Sequence, residues 1–228
     1  MNPTVVLVVA KAPETGLAKT RLTPPLSPEQ AATVAAASLL DTLTAVRGVP
    51  GIHPVIAWTG EIERACRRDA ITDAMADMDL VWQRGGHFGE RLAAAHAEVA
   101  ERYPGSPVLQ IGMDTPQVTP ELLAESAAPL RSHEGPEAVL GPALDGGWWA
   151  LGLREPHDAE VLGHVPMSRP ETGELTGAAL EHRGLRVHEL VELSDVDTVP
   201  DAHRVAESVP ESEFAAALRA SVEREGAV

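Results

Sequence analysis

Thr4-Val-Val-Leu-Val-Val-Ala10 runs straight into Lys11-Ala-Pro-Glu-Thr-Gly16-Leu-Ala-Lys19-Thr20-Arg21-Leu22, and the reading of this stretch decides the fold. An unbroken β-branched and aliphatic run marks a strand buried on both faces, as in a parallel sheet covered by helices on each side. The run is too short to cross a bilayer. No basic segment precedes it, so it does not read as a secretion signal, and the expected location is the cytoplasm. Residues 11–25, punctuated by glycine and proline, form a loop. Ser27-Pro28-Glu29-Gln30 then opens a helix with an N-cap, a proline at the first helical position and a glutamine at the third.

Outward from there, strand and helix patterns alternate. Helix 28–47 ends at Gly48. Strands follow at 52–59, 80–83, 107–112, 138–141, 148–153 and 185–190. Helices are expected at 61–76, 88–103, 120–130 and 172–182, with a helical remainder after about residue 199. This alternation predicts a three-layer α/β/α domain with a mixed, mostly parallel sheet. In such sheets ligands bind beyond the carboxyl ends of the strands. The loop from Lys11, the Asp114 turn and the Asp195 segment each follow a predicted strand, so they should share one rim.

The chain has 228 residues, 44% hydrophobic and 23% charged, which suits one domain over 1–228, with a peripheral helix and charged tail after about residue 210. The formal charge of −16 disfavours nucleic acid and membrane as partners. The single cysteine, Cys66, excludes an internal disulfide and reads as packing. Only two lysines occur, Lys11 and Lys19, and both lie with Arg21 in the first loop. Lysine is a compact point charge suited to a phosphate oxygen. A basic cluster in so acidic a chain points to anion binding, the alternative being a solvated loop.

In that loop Gly16 lets backbone approach a ligand, and Lys19, Thr20 and Arg21 supply two cations and a hydroxyl. The spacing is neither a Walker A loop nor a dinucleotide fingerprint. Gly112-Met113-Asp114-Thr115-Pro116 puts a carboxylate at a strand end, where Mg²⁺ or Mn²⁺ could bridge phosphate oxygens, or where an aspartate simply caps a turn. On an extended segment Asp195 and Asp197 lie on one side. They are candidates to complete a metal shell with Asp114, or to cap the helix that follows. Gly141-Pro-Ala-Leu-Asp145-Gly146-Gly147-Trp148-Trp149 reads as a hairpin turn with room for a ligand, one tryptophan facing the site and the other the core. Gln83-Arg84-Gly85-Gly86-His87-Phe88-Gly89-Glu90-Arg91 is either an anion-binding helix entry, through Arg84, Gly85, Gly86 and Arg91, or a plain connection. No Ser-His-Asp set and no zinc spacing is present.

Taken in order, these motifs resemble the radical-SAM/selenodomain-associated transferase family. That family belongs to the nucleotide-diphospho-sugar transferase (GT-A) superfamily and is related to the molybdenum-cofactor and phospholactate guanylyltransferases. The resemblance covers 11–22, 83–91, 112–116, 141–149 and 195–198. It implies a GT-A, Rossmann-like sheet, a nucleotide held by Gly16, Lys19 and Arg21, and a divalent metal at Asp114. The sequence departs from the pattern at Met113 (usually serine), at Trp148-Trp149 (usually a tyrosine-led pair) and at Met167-Ser168-Arg169 (near a usual Trp-Ser-Thr). The expected activity is therefore a metal-dependent transferase with a nucleotide-activated donor and a small-molecule acceptor. Glycosyl transfer from a nucleotide-sugar is favoured, with Lys19 and Arg21 stabilising charge and Asp145 as base or acceptor-positioning group. Nucleotidyl transfer from an NTP to a phosphorylated or carboxylated acceptor is the alternative. A non-catalytic nucleotide-binding module is the third reading.

Overall fold

A computed structural model describes residues 2–223, so the charged end of the tail lies outside the described residues. The β-branched run forms β1 (Thr4–Lys11), an interior strand of a seven-stranded sheet. The other strands are β2 (Ile52–Thr59), β3 (Asp79–Trp82), β4 (Val108–Gly112), β5 (Ala138–Pro142), β6 (Trp148–Leu153) and β7 (Val187–Glu189), in the order β3-β2-β1-β4-β6-β5-β7. Val8 of β1 stands opposite Ile56 of β2 and Ile111 of β4, both in parallel register. β6 alone runs antiparallel to its neighbours, β4 and β5. Two reversals restore direction, so β1, β4, β5 and β7 end at one rim, and that rim carries the loops of interest.

Among the described residues there are seven α-helices: α1 (Pro28–Arg47), α2 (Arg68–Met75), α3 (Phe88–Arg102), α4 (Pro120–Ala127), α5 (Thr172–His182), α6 (Val199–Ser208) and α7 (Glu213–Glu223). The predicted start of α1 holds: Ser27 Oγ accepts from Gln30 N–H while Gln30 Oε1 accepts from Ser27 N–H. One face of the sheet packs Val6, Val8, Ile56 and Ile111 against Leu39 and Leu43 of α1 and Leu123 of α4. The other packs Val5, Leu7 and Leu151 against Leu92 and Val99 of α3 and Leu180 of α5. A third cluster joins Leu22 and Leu26 of the first loop, Val34 of α1, Val196, Val205 of α6 and Phe214 of α7. It ties the two ends of the chain together beneath the site.

The expected helix over 61–76 is broken. A 3-10 turn at Ile62–Arg64 is followed by α2, with Arg67 between them in the left-handed region at φ 58°. The cause is tertiary: Ala65 forms a bridge with Glu14, and Cys66 donates its N–H to the Pro13 carbonyl. The pairing draws this segment toward the first loop and out of helical geometry. Cys66 packs against the core, as expected. The expected helix 120–130 closes as a 3-10 turn, Ala128–Arg131, at Pro129. A 3-10 stretch, Pro156–His164, was not legible in the sequence and covers α3. No helix among the described residues is long and apolar enough to cross a membrane.

Candidate functional site

The loop after β1 turns through Lys19, which takes φ 47°, ψ 42° just before the 3-10 turn Thr20–Leu22. Leu22 is fully buried and anchors the turn. Burying such a side chain is worth about 1.5–3 kcal/mol, enough to hold a cationic loop in place. Lys19, only 10% exposed in its side chain, reaches Asp114 at the end of β4, with Nζ 2.9 Å from Oδ2. The same Nζ donates to the Val196 carbonyl. Arg21 pairs with Asp197.

Alternation explains the Asp195–Asp197 segment. Val196 is fully buried in the third cluster, so its two aspartate neighbours project the other way. Val196 also donates its N–H to the Asp114 carbonyl at 3.1 Å. Asp114, Asp145, Asp195 and Asp197 all line a cavity of about 640 Å³ together with Lys19 and Arg21. A smaller cavity of about 230 Å³ adjoins it on the β1 side, lined by Lys11, Lys19, Thr20, Arg21 and Asp114. Burial, then the negative charges of Asp114 and Asp145, push the Asp195 carboxyl up to about 7; Lys19 opposes this and Asp197 adds to it. Arg21 engages Asp197, so the three aspartates are not equivalent. Among the described residues no group of three or more histidine, cysteine, aspartate or glutamate side chains is spaced to hold a metal by itself, and the expected three-aspartate shell is corrected on that point.

Other expected residues fall elsewhere. Gly16 lines neither cavity; its glycine is explained by φ 76°. Asp145 Oδ1 accepts from Gly147 N–H at 2.8 Å, a turn role, though the residue still faces the cavity. Gly147 lines the cavity and Gly146 does not. Any Cβ on Gly146 would fall 1.8 Å from the Pro170 carbonyl oxygen, so this glycine lets two loops touch. Arg84, Gly85, Gly86 and Arg91 line neither cavity, which corrects the expected anion site there. The chain fills that site itself: Glu90 Oε2 accepts from Gly86 N–H at 2.8 Å and from His87 N–H at 3.3 Å, which holds the Glu90 carboxyl below its usual range. Arg84 points toward Glu98, and Arg91 stacks on Phe88. Gln83 clamps two strand ends, with Nε2 donating to the carbonyls of Ala10 and Ala57.

The tryptophans lie on opposite faces of the sheet, as expected, but both reach the lining of the larger cavity. Trp149 is buried in the α1 side of the core, and Trp148 packs on the α3 side beside the cavity. Phe88, Gln110 and Arg169 are among the lining residues not proposed for the site from the sequence. Arg169 is a further cation, 62% exposed in its side chain and only loosely paired with Glu171 at 3.9 Å. A departure from the family pattern was its signal in the sequence. For Gln110 the signal was a lone polar residue inside an apolar strand.

Residues 42–169 match the model of DUF2064, described as an uncharacterized protein family conserved in bacteria. The chain belongs to the DUF2064 family. This DUF2064 protein is 29% identical over 232 residues to a phosphoenolpyruvate guanylyltransferase of Nocardia farcinica (strain IFM 10152), covering 96% of this chain and 93% of that one. A candidate nucleotide-diphospho-sugar transferase from Desulfovibrio desulfuricans G20 superposes with TM-score 0.82 at 25% identity, covering 96% of this chain and 95% of that one. A CMP:2-keto-3-deoxy-manno-octonic acid synthetase solved with CTP shares the fold alone, with TM-score 0.59 at 13% identity over 92% of this chain and 99% of that one. The nucleotide-diphospho-sugar transferase fold expected from the motifs is thereby shown, as is relatedness to a guanylyltransferase.

Proposed function

We propose that the protein is a nucleotidyltransferase. It joins the NMP of a nucleoside triphosphate, GTP first among them, to a phosphorylated or carboxylated small acid and releases pyrophosphate. The observation that carries this reading is the meeting of Lys19 and Arg21 with Asp114 and Asp197 in one cavity. Relatives with matching folds favour nucleotidyl transfer over the glycosyl transfer first expected. The link to radical-SAM/selenodomain-associated transferases rests on the motif resemblance.

An anionic acceptor oxygen attacks the α-phosphorus. The new O–P bond forms as the bond from that phosphorus to the α–β bridging oxygen breaks, and the electron pair leaves with pyrophosphate. The nucleophile is already deprotonated, so no general base is required, which agrees with the turn role of Asp145. Lys19 and Arg21 meet the charge growing on the leaving pyrophosphate. They are pre-oriented by their aspartate partners and need no reorganisation of the loop. Arg169, exposed and only loosely paired with Glu171, is placed to meet the anionic acceptor.

Mg²⁺ or Mn²⁺ fits Asp114 and Asp195. A carboxyl raised to about 7 by burial, and then by its carboxylate neighbours, is a group that a hard cation would deprotonate. Two carboxylates suffice where substrate phosphates complete the shell. When bound, the ion neutralises phosphate charge and polarises the α-phosphorus.

The test is pyrophosphate release with each of the four NTPs, Mg²⁺ and phosphoenolpyruvate, run beside NDP release from nucleotide-sugars. Pyrophosphate formed only when NTP and acceptor are both present supports the reading. NDP release from a nucleotide-sugar, without pyrophosphate from any NTP, overturns it.

A further inference from the structure

Gln110 lies mid-strand in β4, 2% exposed, between Leu7 of β1 and Leu151 of β6. The proposed reaction has given it no task. An amide buried in such surroundings costs free energy unless both its ends are met. One end is met: Gln110 and His96 of α3 are hydrogen-bonded at 2.9 Å through Oε1 and Nε2, and His96 is fully buried. Among the described residues His96 Nδ1 has no hydrogen-bond partner. A bare ring nitrogen tolerates that isolation better than a buried N–H does. The ring proton therefore sits on Nε2 and donates to Gln110 Oε1. Burial holds the imidazole down at about 4, so it stays neutral near pH 7.

This arrangement fixes which end of the amide remains. Gln110 lines the larger cavity, and among the described residues no protein acceptor meets its Nε2. Val9, Phe88, Trp148 and Met167 give the same cavity an apolar part beside its charged residues. An N–H donor is thus presented to a cavity of mixed apolar and charged lining.

We propose that Gln110 is a specificity-determining residue of the acceptor pocket, donating from Nε2 to an oxygen of the small acid, with His96 as its positioning residue. This rests on the nucleotidyltransferase reading. The acceptor side is assigned because Lys11, Lys19 and Thr20 gather around the smaller cavity on the β1 side of Asp114. Gln110 lines only the larger of the two cavities, which Lys19, Arg21 and Asp114 also line and to which Trp148 and Arg169 belong alone. The ligand group selected is an oxygen that accepts a hydrogen bond, a carboxylate or carbonyl. A site that must satisfy a buried donor rejects analogues lacking the matching acceptor.

Steady-state pyrophosphate release with GTP, Mg²⁺ and phosphoenolpyruvate tests the assignment in wild type, Gln110→Met, His96→Leu and His96→Gln. Gln110→Met raises KM for phosphoenolpyruvate about tenfold, the effect of one lost hydrogen bond to a charged oxygen, and leaves KM for GTP within about twofold. His96→Leu moves the same parameter in the same direction, and His96→Gln, which can again donate, recovers most of it. An unchanged KM for phosphoenolpyruvate in Gln110→Met, or a loss that falls on GTP, overturns the proposal. If wild type releases no pyrophosphate, the reaction reading fails by itself. Equilibrium dialysis of phosphoenolpyruvate then decides for Gln110: weaker binding by Gln110→Met supports the assignment, and equal binding, or none to wild type, overturns it.

Discussion

Val196 donates its backbone N–H to the carbonyl of Asp114 at 3.1 Å, and its side chain is fully buried against the cluster that holds Leu22. One residue thus fastens the carboxylate segment to the end of β4 and to the root of the cationic loop. The charged groups around the cavity lie far apart in the chain, and this apolar cluster brings them together.

Leu22→Ala should destabilise the protein by about 2–5 kcal/mol, the usual cost of deleting a buried leucine. Because Leu22 anchors the turn bearing Lys19 and Arg21, nucleotide affinity should fall as well. Denaturant unfolding and calorimetric titration with a nucleoside triphosphate measure the two effects. Loss of stability with unchanged affinity would show that the loop keeps its shape without this anchor.

Asp195 should make the protein less stable as pH rises. Its carboxyl has an ordinary value of 3.8 and is raised to about 7 in the fold, so the unfolded chain releases the proton first. Stability is lost as pH rises from about 4 to about 7, and the penalty, about 1–3 kcal/mol for this partly exposed group, is fully present above that window. Asp195→Asn should therefore raise Tm at pH 8, by about 2–4 °C per kcal/mol, and leave it near wild type at pH 4. Mg²⁺ should stabilise wild type more than the variant. A lower Tm for Asp195→Asn at pH 8 would contradict the assigned repulsion among the carboxylates.

His96 should act with the opposite sign in an overlapping window. Burial lowers its pKa from 6.5 to about 4, so the unfolded chain takes up a proton that the fold refuses. Stability falls as pH drops from about 6.5 to about 4, by up to about 3 kcal/mol. The two effects partly cancel in wild type, so single variants are needed to see them. His96→Leu should remove the acid-side loss and leave a steeper decline toward high pH, read from urea midpoints across pH 4–8. An unchanged pH profile in this variant would mean that His96 is not the buried neutral base.

Arg169→Ala should raise KM for an anionic acceptor about tenfold, with little effect on stability because the side chain is largely exposed. Initial-rate kinetics with phosphoenolpyruvate check this. An effect confined to kcat would place Arg169 at the transition state and not in acceptor binding.

The architecture was legible because β1 is a continuous β-branched run and because Ser27 and Gln30 cap α1 locally. Asp114 and Lys19 were legible through the rule that loops beyond parallel strands share a rim. What escaped reading was set by partners distant in sequence. Arg67 leaves the helix because Ala65 bridges to Glu14. Gly86 is lost to ligand binding because Glu90, four residues on, already occupies its N–H. Asp195 and Asp197 looked interchangeable, and only the fold gives Asp197 to Arg21 and leaves Asp195 beside Asp114. Gln110 is a polar residue in an apolar strand, a signal not taken up in the sequence, and its orientation depends on His96 across the α3 interface.

The central claim is that Lys19 and Asp114 serve one phosphate- and metal-binding centre. Its most direct test is calorimetric titration of GTP, with and without Mg²⁺, into wild type, Lys19→Ala and Asp114→Asn. Wild type should bind GTP more tightly with Mg²⁺. Lys19→Ala should lose about 10- to 100-fold in affinity, as for a removed charge-assisted hydrogen bond, and Asp114→Asn should lose the Mg²⁺ dependence altogether. An Asp114→Asn protein that still binds GTP more tightly with Mg²⁺, to the wild-type extent, would contradict the account.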